Sequence, residues 1–223
     1  MLGNNVVELV DVGARGGILP HWRWISPRLH LTMFEPDSAA ADELRNSATH
    51  RGLDLTVIES AVWSSSSKHS LRLTRSGGCS SLLDPNRDML NEFPKNERFD
   101  IVSQFELKTS TLDDVLNPEI KYDFLKIDVQ GGSLMVLEGA KNSLNDLLGM
   151  EIEAEIMEMY KGEPLFGLIH QNIASKNFEL VDIRPTYWQR TTAKEIPGCK
   201  GQAVSSDMLY MISPQCFADR MEG

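Results

Sequence analysis

The sequence has little cysteine. Its 223 residues include three, Cys79, Cys199 and Cys216. An odd number without metal-ligand spacing speaks against a secreted disulfide framework and a zinc site, and for a reducing compartment. The five histidines, His21, His30, His50, His69 and His170, are scattered and lack the paired spacing of metal ligands, so no metal is expected. No run approaches 18 apolar residues, and the first residues, MLGNNVVELVDVG, lack a basic stretch followed by an apolar one. Neither membrane insertion nor a signal peptide is expected, and the expected location is the cytoplasm. Blocks of Lys or Arg are missing as well. With 22 basic against 32 acidic side chains the formal net charge is −10, so a phosphate backbone is repelled on average and nucleic acid is not an expected partner. No internal repeat or composition break marks a second domain. A chain of this length can bury about 70% of its unfolded surface in one core, so a single domain over 1–223 is expected.

What is present is alternation. Apolar runs at 6–12, 29–34, 53–58, 124–129, 152–157, 178–183 and 208–212 alternate with polar or amphipathic stretches, the pattern of a parallel sheet covered by helices. The spacing predicts helices over 37–51, capped by Asp37 and ended by Gly52, and over 133–148, where Leu134, Leu137, Leu144 and Leu148 recur at threes and fours around Lys141. Shorter helices are expected at 84–93 and 167–177, and a helical turn opened by Ser110 or Thr111 at 111–116. Residues 64–81 read as Ser-rich loops around an alternating stretch, 69–74, expected as an edge hairpin laid over the sheet, and 100–107 reads as extended.

The chemistry points to Val10-Asp11-Val12-Gly13-Ala14-Arg15-Gly16-Gly17, a glycine-rich turn closing the first strand, where doubly wound sheets bind nucleotides. A dinucleotide fingerprint requires G-x-G-x-x-G. Here the glycines fall at 13, 16 and 17, Arg15 takes the place of a middle glycine, and Asp11 stands two residues before the first. A carboxylate there repels a pyrophosphate but attracts the ammonium of S-adenosyl-L-methionine, by about 4 kcal/mol at 4 Å before desolvation. Asp11 as a simple helix cap is the plainer alternative. Glu35, 24 residues later at the end of the second strand, is placed to accept both ribose hydroxyls. An acid at that place serves nicotinamide sites as well. After the third strand, Ser60 and Ala61 are expected beside the adenine.

Three motifs resemble those of the FkbM-type S-adenosylmethionine-dependent methyltransferases: the 10–17 turn just described, Phe34-Glu35-Pro36-Asp37, and Leu125-Lys126-Ile127-Asp128-Val129-Gln130-Gly131. Ser80-Ser81-Leu82, Thr111-Leu112-Asp113-Asp114, Val136-Leu137-Glu138-Gly139-Ala140 and Tyr160-Lys161-Gly162-Glu163-Pro164-Leu165-Phe166 extend the similarity from about residue 6 to residue 212. Arg15 stands where many members have Asn, and Gln130 where many have Glu. The resemblance implies a Rossmann-like sheet of seven strands, six parallel and the last antiparallel, with methyl transfer usually to a hydroxyl. It also implies cofactor contacts from Asp11, Gly13, Ala14, Arg15, Gly17, Glu35, Pro36, Ser60, Ala61 and Asp128. On this reading the 64–98 and 185–206 loops roof the acceptor pocket.

Methyl transfer to oxygen is an in-line displacement on a cation, and it needs an aligned nucleophile and a proton acceptor. Asp128, at the end of the central strand, is the expected base or positioning group, with Lys126 on the same strand face to tune it or bind the acceptor. A strand-end ion pair without catalytic function is the alternative. Glu153 and Glu155, on one face of the next strand, are second candidates for binding acceptor hydroxyls, while Glu151 reads better as solvated. Trp22, Trp24, Trp63 and Trp188 read as packing residues, with Trp63 and Trp188 in loops able to stack on a sugar. The expected activity is O-methyl transfer to a small-molecule or glycan hydroxyl acceptor, with glycan biosynthesis as setting. A nicotinamide-dependent oxidoreductase and a non-catalytic cofactor-binding scaffold are the rival readings.

Overall fold

The structure is a computed structural model that describes residues 6–193 and 197–222, without the side chains of His50 and Arg51. In chain order its elements are β1 (Val7–Val12), a 3-10 segment (Pro20–Arg28), β2 (Leu29–Phe34), α1 (Ser38–Arg51), β3 (Asp54–Ile58), β4 (Ala61–Val62) and β5 (Lys68–Thr74). Then come a 3-10 turn (Gly77–Cys79), α2 (Arg87–Leu90), a second 3-10 turn (Asn96–Phe99), β6 (Ile101–Ser110), α3 (Leu112–Val115), β7 (Phe124–Ile127) and α4 (Ser133–Glu138). The chain continues through β8 (Gly149–Glu155), α5 (Phe166–Ala174), β9 (Phe178–Trp188), β10 (Gln202–Ile212) and α6 (Pro214–Glu222).

Seven strands form one sheet in the order β3-β2-β1-β7-β8-β10-β9. β1 pairs in parallel with β2 and β7, while β10 runs antiparallel to both β8 and β9. This is the α/β architecture that the resemblance implied. The strand order reverses between β1 and β7, and their carboxyl ends open a crevice there. One face of the sheet presents Val10, Val12, Leu125, Ile127, Met150 and Ile152 to Val136 and Leu137 of α4 and Ile169 and Ile173 of α5. On the other face Leu9, Leu31 and Met33 pack against Ile18, Trp22 and Leu44. That second face turns polar where β1 meets β7 and β8, because the register places Asp11, Lys126 and Glu151 side by side in one row. Among the described residues no helix is long and apolar enough to cross a membrane.

The caps of α1 are as expected: the Asp37 carboxylate accepts from the Ala39 N–H, and Gly52 ends the helix at φ +63°. Other expectations change. The helix expected over 133–148 stops at Glu138, because Gly139 lies against the Trp63 carbonyl, where a Cβ would come within 2.2 Å. Beyond it the Asp113 carboxylate takes the Asn142 and Ser143 N–H groups, so the chain turns instead of continuing the ladder. The 84–93 helix contracts to the single turn of α2. The 69–74 stretch is no local hairpin over the main sheet; β5 pairs antiparallel with β6, which pairs with β4 on its other edge, giving a separate three-stranded sheet. β9 and β10 run on to Trp188 and back from Gln202, so the 185–206 loop shrinks to residues 189–201, of which 194–196 lie outside the described residues. Exposed residues along the second half of β9, and the buried Ser205 and Ser206 in β10, hide the apolar periodicity that would have announced their length.

Candidate active site

A cleft of about 770 Å³ opens at the crevice between β1 and β7. The ends of β1, β2 and β7 contribute Gly13, Glu35 and Asp128, residues 60–63 form one wall, and the 71–82 segment covers it with Leu71, Leu73, Gly77, Ser80 and Leu82. Gly13 makes the turn possible. At φ +82° its Hα points at the Asp128 carbonyl, and a Cβ would stand 1.9 Å from that oxygen. The turn is fastened to β2 by the Gly13 and Ala14 N–H groups, both donating to the Phe34 carbonyl at 3.1 and 3.2 Å.

Glu35 is buried, and its Oε1 accepts from the Asp37 N–H at 2.9 Å. Burial raises its pKa, and the Asp37 N–H and the Arg15 guanidinium offset part of that rise. Arg15 bonds Asp37, stands 3.8 Å from Glu35, and lies directly under Gly77, whose missing Cβ is what allows the cover to approach it.

The second half of the site is a network of acids around Gln130. Lys126 Nζ, buried, donates to Asp11 Oδ1 at 2.8 Å and stands 3.9 Å from Asp128 Oδ2. Burial works against the Lys126 charge, but Asp11 and Asp128 outweigh it and hold its pKa above the usual value. Gln130 Nε2 bridges Asp128 Oδ1 at 3.0 Å and Glu153 Oε2 at 2.6 Å. Its Oε1 lies 3.1 Å from the Tyr160 hydroxyl, and its carbonyl accepts from Ser81 Oγ at 2.6 Å. Gln130 sits at φ +50°, a left-handed conformation uncommon outside glycine and held here by those four contacts. Burial, the Asp128 charge and the Glu155 charge push Glu153 well above the carboxylate range.

Glu155 and Glu163 flank Gly131. Glu155 Oε1 accepts the Gly131 N–H at 2.9 Å, and Glu163 Oε1 accepts the Tyr160 N–H at 3.1 Å and the Met159 N–H. The second oxygen of each is buried without a hydrogen-bond partner. Burial is the main cause that lifts Glu155 to about 7 and Glu163 to about 9, the latter raised further by the Glu155 charge. The folded protein therefore binds more protons than the unfolded chain once the pH exceeds the unfolded value of 4.5, and stability falls as the pH rises through the folded values. The melting temperature is expected to drop between about pH 5 and about pH 9, and Glu163→Gln, which needs no proton, is expected to flatten that slope in a thermal melt series.

Of the residues expected at the site, Gly13, Arg15, Glu35, Pro36, Ser60, Ala61 and Asp128 line one cleft. Asp11, Ala14, Gly17, Lys126, Glu153 and Glu155 are not among its lining residues, and the partner of the Asp11 carboxylate is Lys126. Glu151 is not solvated. It is 4% exposed and accepts from Trp22 Nε1 at 2.9 Å and from Arg184, with His21 Nε2 at 2.7 Å. Sequence reasoning assigned no role to Gln130, Tyr160 or Glu163; their signal was the position of Gln130 in the 125–131 motif and the Tyr160-to-Phe166 motif itself.

No protein with a curated description matches this sequence. Among solved structures, the magnesium protoporphyrin IX methyltransferase of Synechocystis, determined with bound SAM, has a TM-score of 0.50 at 11% identity over 95% of this chain and 72% of that one. A Streptococcus pneumoniae protein assigned as a tRNA (m1A22) methyltransferase has a TM-score of 0.49 at 10% identity over 95% and 66%. TrmK of M. capricolum, determined with S-adenosyl-homocysteine, has 0.47 at 13% over 94% and 64%. The chain spans less than two thirds of the length of the latter two, and at these identities the likeness is one of fold. A family model is matched over residues 11–180, from the Gly13 turn through the Gln130 network into β9, and the chain belongs to that family, the methyltransferase FkbM domain.

Proposed function

We propose that the protein is an S-adenosyl-L-methionine-dependent O-methyltransferase that acts in the cytoplasm on a hydroxyl of a carbohydrate, glycan intermediate or related natural product. The observation that carries this reading is the pairing of two carboxylates across the Gly13 turn. Glu35 is buried with a single backbone donor, and Asp128 is the one acid of the 126–163 network that faces the cleft. The residues fit the methyl donor. Glu35 has free acceptor capacity for a ribose diol, the bare backbone of the Gly13 turn admits close approach, and residues 60–63 with Leu71 and Leu73 offer a slot for a flat base. The methyl donor is S-adenosyl-L-methionine, which supplies a sulfonium-bound methyl group and leaves as S-adenosylhomocysteine.

The protein's part is alignment and proton removal. Asp128 accepts the hydroxyl proton as the new C–O bond forms, and Lys126 stabilises the carboxylate before transfer. Gln130, bonded to both Asp128 and Glu153, fixes the direction of the Asp128 oxygens, and burial, which pushes Glu153 well above the carboxylate range, leaves Asp128 as the acceptor. Asp11 and Glu155 act through others, Asp11 by holding Lys126 and Glu155 by holding the Gly131 N–H. The net charge of −10 supports a small acceptor rather than a nucleic acid.

Calorimetry with S-adenosylhomocysteine tests the cofactor reading. A micromolar Kd, about −8 kcal/mol, is expected for the wild type, with at least a tenfold loss in Glu35→Ala and no binding of NAD. Absence of binding to the wild type would overturn the reading. In a screen of sugars with labelled methyl donor, Asp128→Asn is expected to keep cofactor affinity and lose about 100-fold in turnover; unchanged turnover would remove Asp128 from the chemistry.

A further inference from the structure

Beyond the cofactor cleft, on the other side of the 76–80 segment, lies an arginine without a partner. The half-buried arginines Arg45, Arg72, Arg87 and Arg190 each meet a carboxylate. Arg98, equally half-buried, meets no carboxylate or hydrogen-bond acceptor with its guanidinium among the described residues, and its Nε is buried without an acceptor. Its place is well defined. The guanidinium carbon stands 4.1 Å from the centroid of Trp188 and 5.1 Å from that of Phe99, and the Arg98 carbonyl accepts from the Ser76 N–H at 3.0 Å. Trp188 is pinned in turn by Phe93 and Phe99, with centroids 5.5 and 6.1 Å away. A planar guanidinium laid on an indole keeps its donor edge free, the arrangement that binds an oxyanion through two parallel hydrogen bonds.

This arginine lies beyond the reacting end of the site, outside the residues that line the cleft. Trp188 closes β9 on the same side of the sheet at which Asp128 follows β7, three strand spacings or about 14 Å across β8 and β10 and, because the register matches Ile127 with Ile183, about 13 Å further along, so roughly 20 Å away. Between them lies Tyr160, whose ring stands 6.0 Å from Phe99 and whose hydroxyl reaches both the Cys79 carbonyl and Gln130. The charges of Arg98 and Asp128 both act on the Cys79 thiol, so the arginine and the acidic network share one neighbourhood. Asp128 and Asp207 repel an anion from the reacting end, whereas the unpaired Arg98 attracts one at the far end.

Resting on the methyl-transfer reading above, we propose that Arg98 stacked on Trp188 is the subsite for an acidic group, a phosphate or a carboxylate, carried by the methyl acceptor at up to about 20 Å from the hydroxyl that is methylated. The subsite then selects acceptors by charge and length, and Asp128 selects the hydroxyl.

The test is a fluorescence titration of the protein saturated with S-adenosylhomocysteine, using glucose 1-phosphate, glucuronate and glucose as probes, because Trp188 under Arg98 reports occupancy directly. One or both charged sugars are expected to bind at least tenfold more tightly than glucose; glucose 1-phosphate leading assigns a phosphate, and glucuronate leading assigns a carboxylate. Arg98→Met is expected to erase that preference while binding S-adenosylhomocysteine as the wild type does. Arg98→Lys, which keeps the charge but loses the planar fork, is expected to weaken the preferred probe about tenfold, and it carries the test if Arg98→Met does not fold. Charged sugars binding no better than glucose, or binding the variants as they bind the wild type, would overturn the subsite while S-adenosylhomocysteine binding leaves the proposed function standing. Failure of the wild type to bind S-adenosylhomocysteine would instead strike the proposed function itself.

Discussion

Gly13→Ala is expected to unfold much of the cofactor site. Residue 13 has φ +82°, and the added methyl carbon would stand 1.9 Å from the Asp128 carbonyl oxygen and 2.7 Å from its carbon. Both are backbone atoms at the end of β7, so no side-chain rotation relieves the collision. Either the Gly13 turn or the start of the 128–132 turn must move, and with it Asp128 and the Gln130 bridge. Gly16→Ala is the natural control, because Gly16 has φ +90° but nothing within 4 Å of its Cβ position. Gly16→Ala therefore pays only for the left-handed backbone, roughly 1–2 kcal/mol. Gly13→Ala adds the collision, and a total above about 3 kcal/mol places it among the large single-site effects with a named steric cause. For a chain of this size that corresponds to a fall of roughly 6–12 °C in Tm. Thermal melts with S-adenosylhomocysteine calorimetry check both numbers: Gly13→Ala is expected to lose cofactor affinity, while Gly16→Ala keeps most of it. Equal effects from the two variants would show that the contact with Asp128 carries no energy.

The same residues show what could be read before the structure. Gly13, Glu35 and Asp128 were visible because a strand-end glycine turn and two strand-end acids are local patterns, and one cleft does collect them. Asp11 and Lys126 were visible as residues but not as a pair, because their contact spans 115 positions and arises from the β1–β7 register. Glu151 was misread for a related reason. It shares the alternating face of Glu153 and Glu155, and only the 3-10 segment at Pro20–Arg28, which lacks helical periodicity and contains two prolines, brings Trp22 and His21 down onto it. Gln130 stands in the motif at the position where the sequence resemblance places Glu in many members. As an amide its two N–H groups donate to two carboxylates at once, whereas a Glu at that position has no donor when ionised and one when protonated.

Lys126→Met is expected to produce the largest loss of stability of any single charge removal on this chain. Lys126 and Asp11 are both nearly fully buried, and the ammonium is the only hydrogen-bond donor to the Asp11 side chain among the described residues. Removing one member of a buried pair leaves the other uncompensated, which typically costs about 3–5 kcal/mol. Met matches the length of the lysine stem, so most of the loss is electrostatic rather than a cavity. Two further measurements separate these causes. In the double variant Asp11→Leu with Lys126→Met no charge is left to bury, and most of the lost stability is expected to return; failure to recover would mean that packing rather than charge dominates the site. The pH dependence gives the second. Without its lysine, Asp11 is buried with Asp128 and Glu151 nearby, all of which disfavour its charge, so its folded pKa rises further above the unfolded value of 3.8. The folded variant then holds a proton that the unfolded chain releases, and its deficit relative to wild type grows as the pH rises through that window and closes as the pH falls toward the unfolded value. Denaturant midpoints of the wild type and Lys126→Met, measured between about pH 4 and about pH 8, are expected to converge at the acid end. Parallel curves would mean that the aspartate is hydrated rather than buried in the variant, and that water, not lysine, is able to serve as its partner beneath the catalytic face.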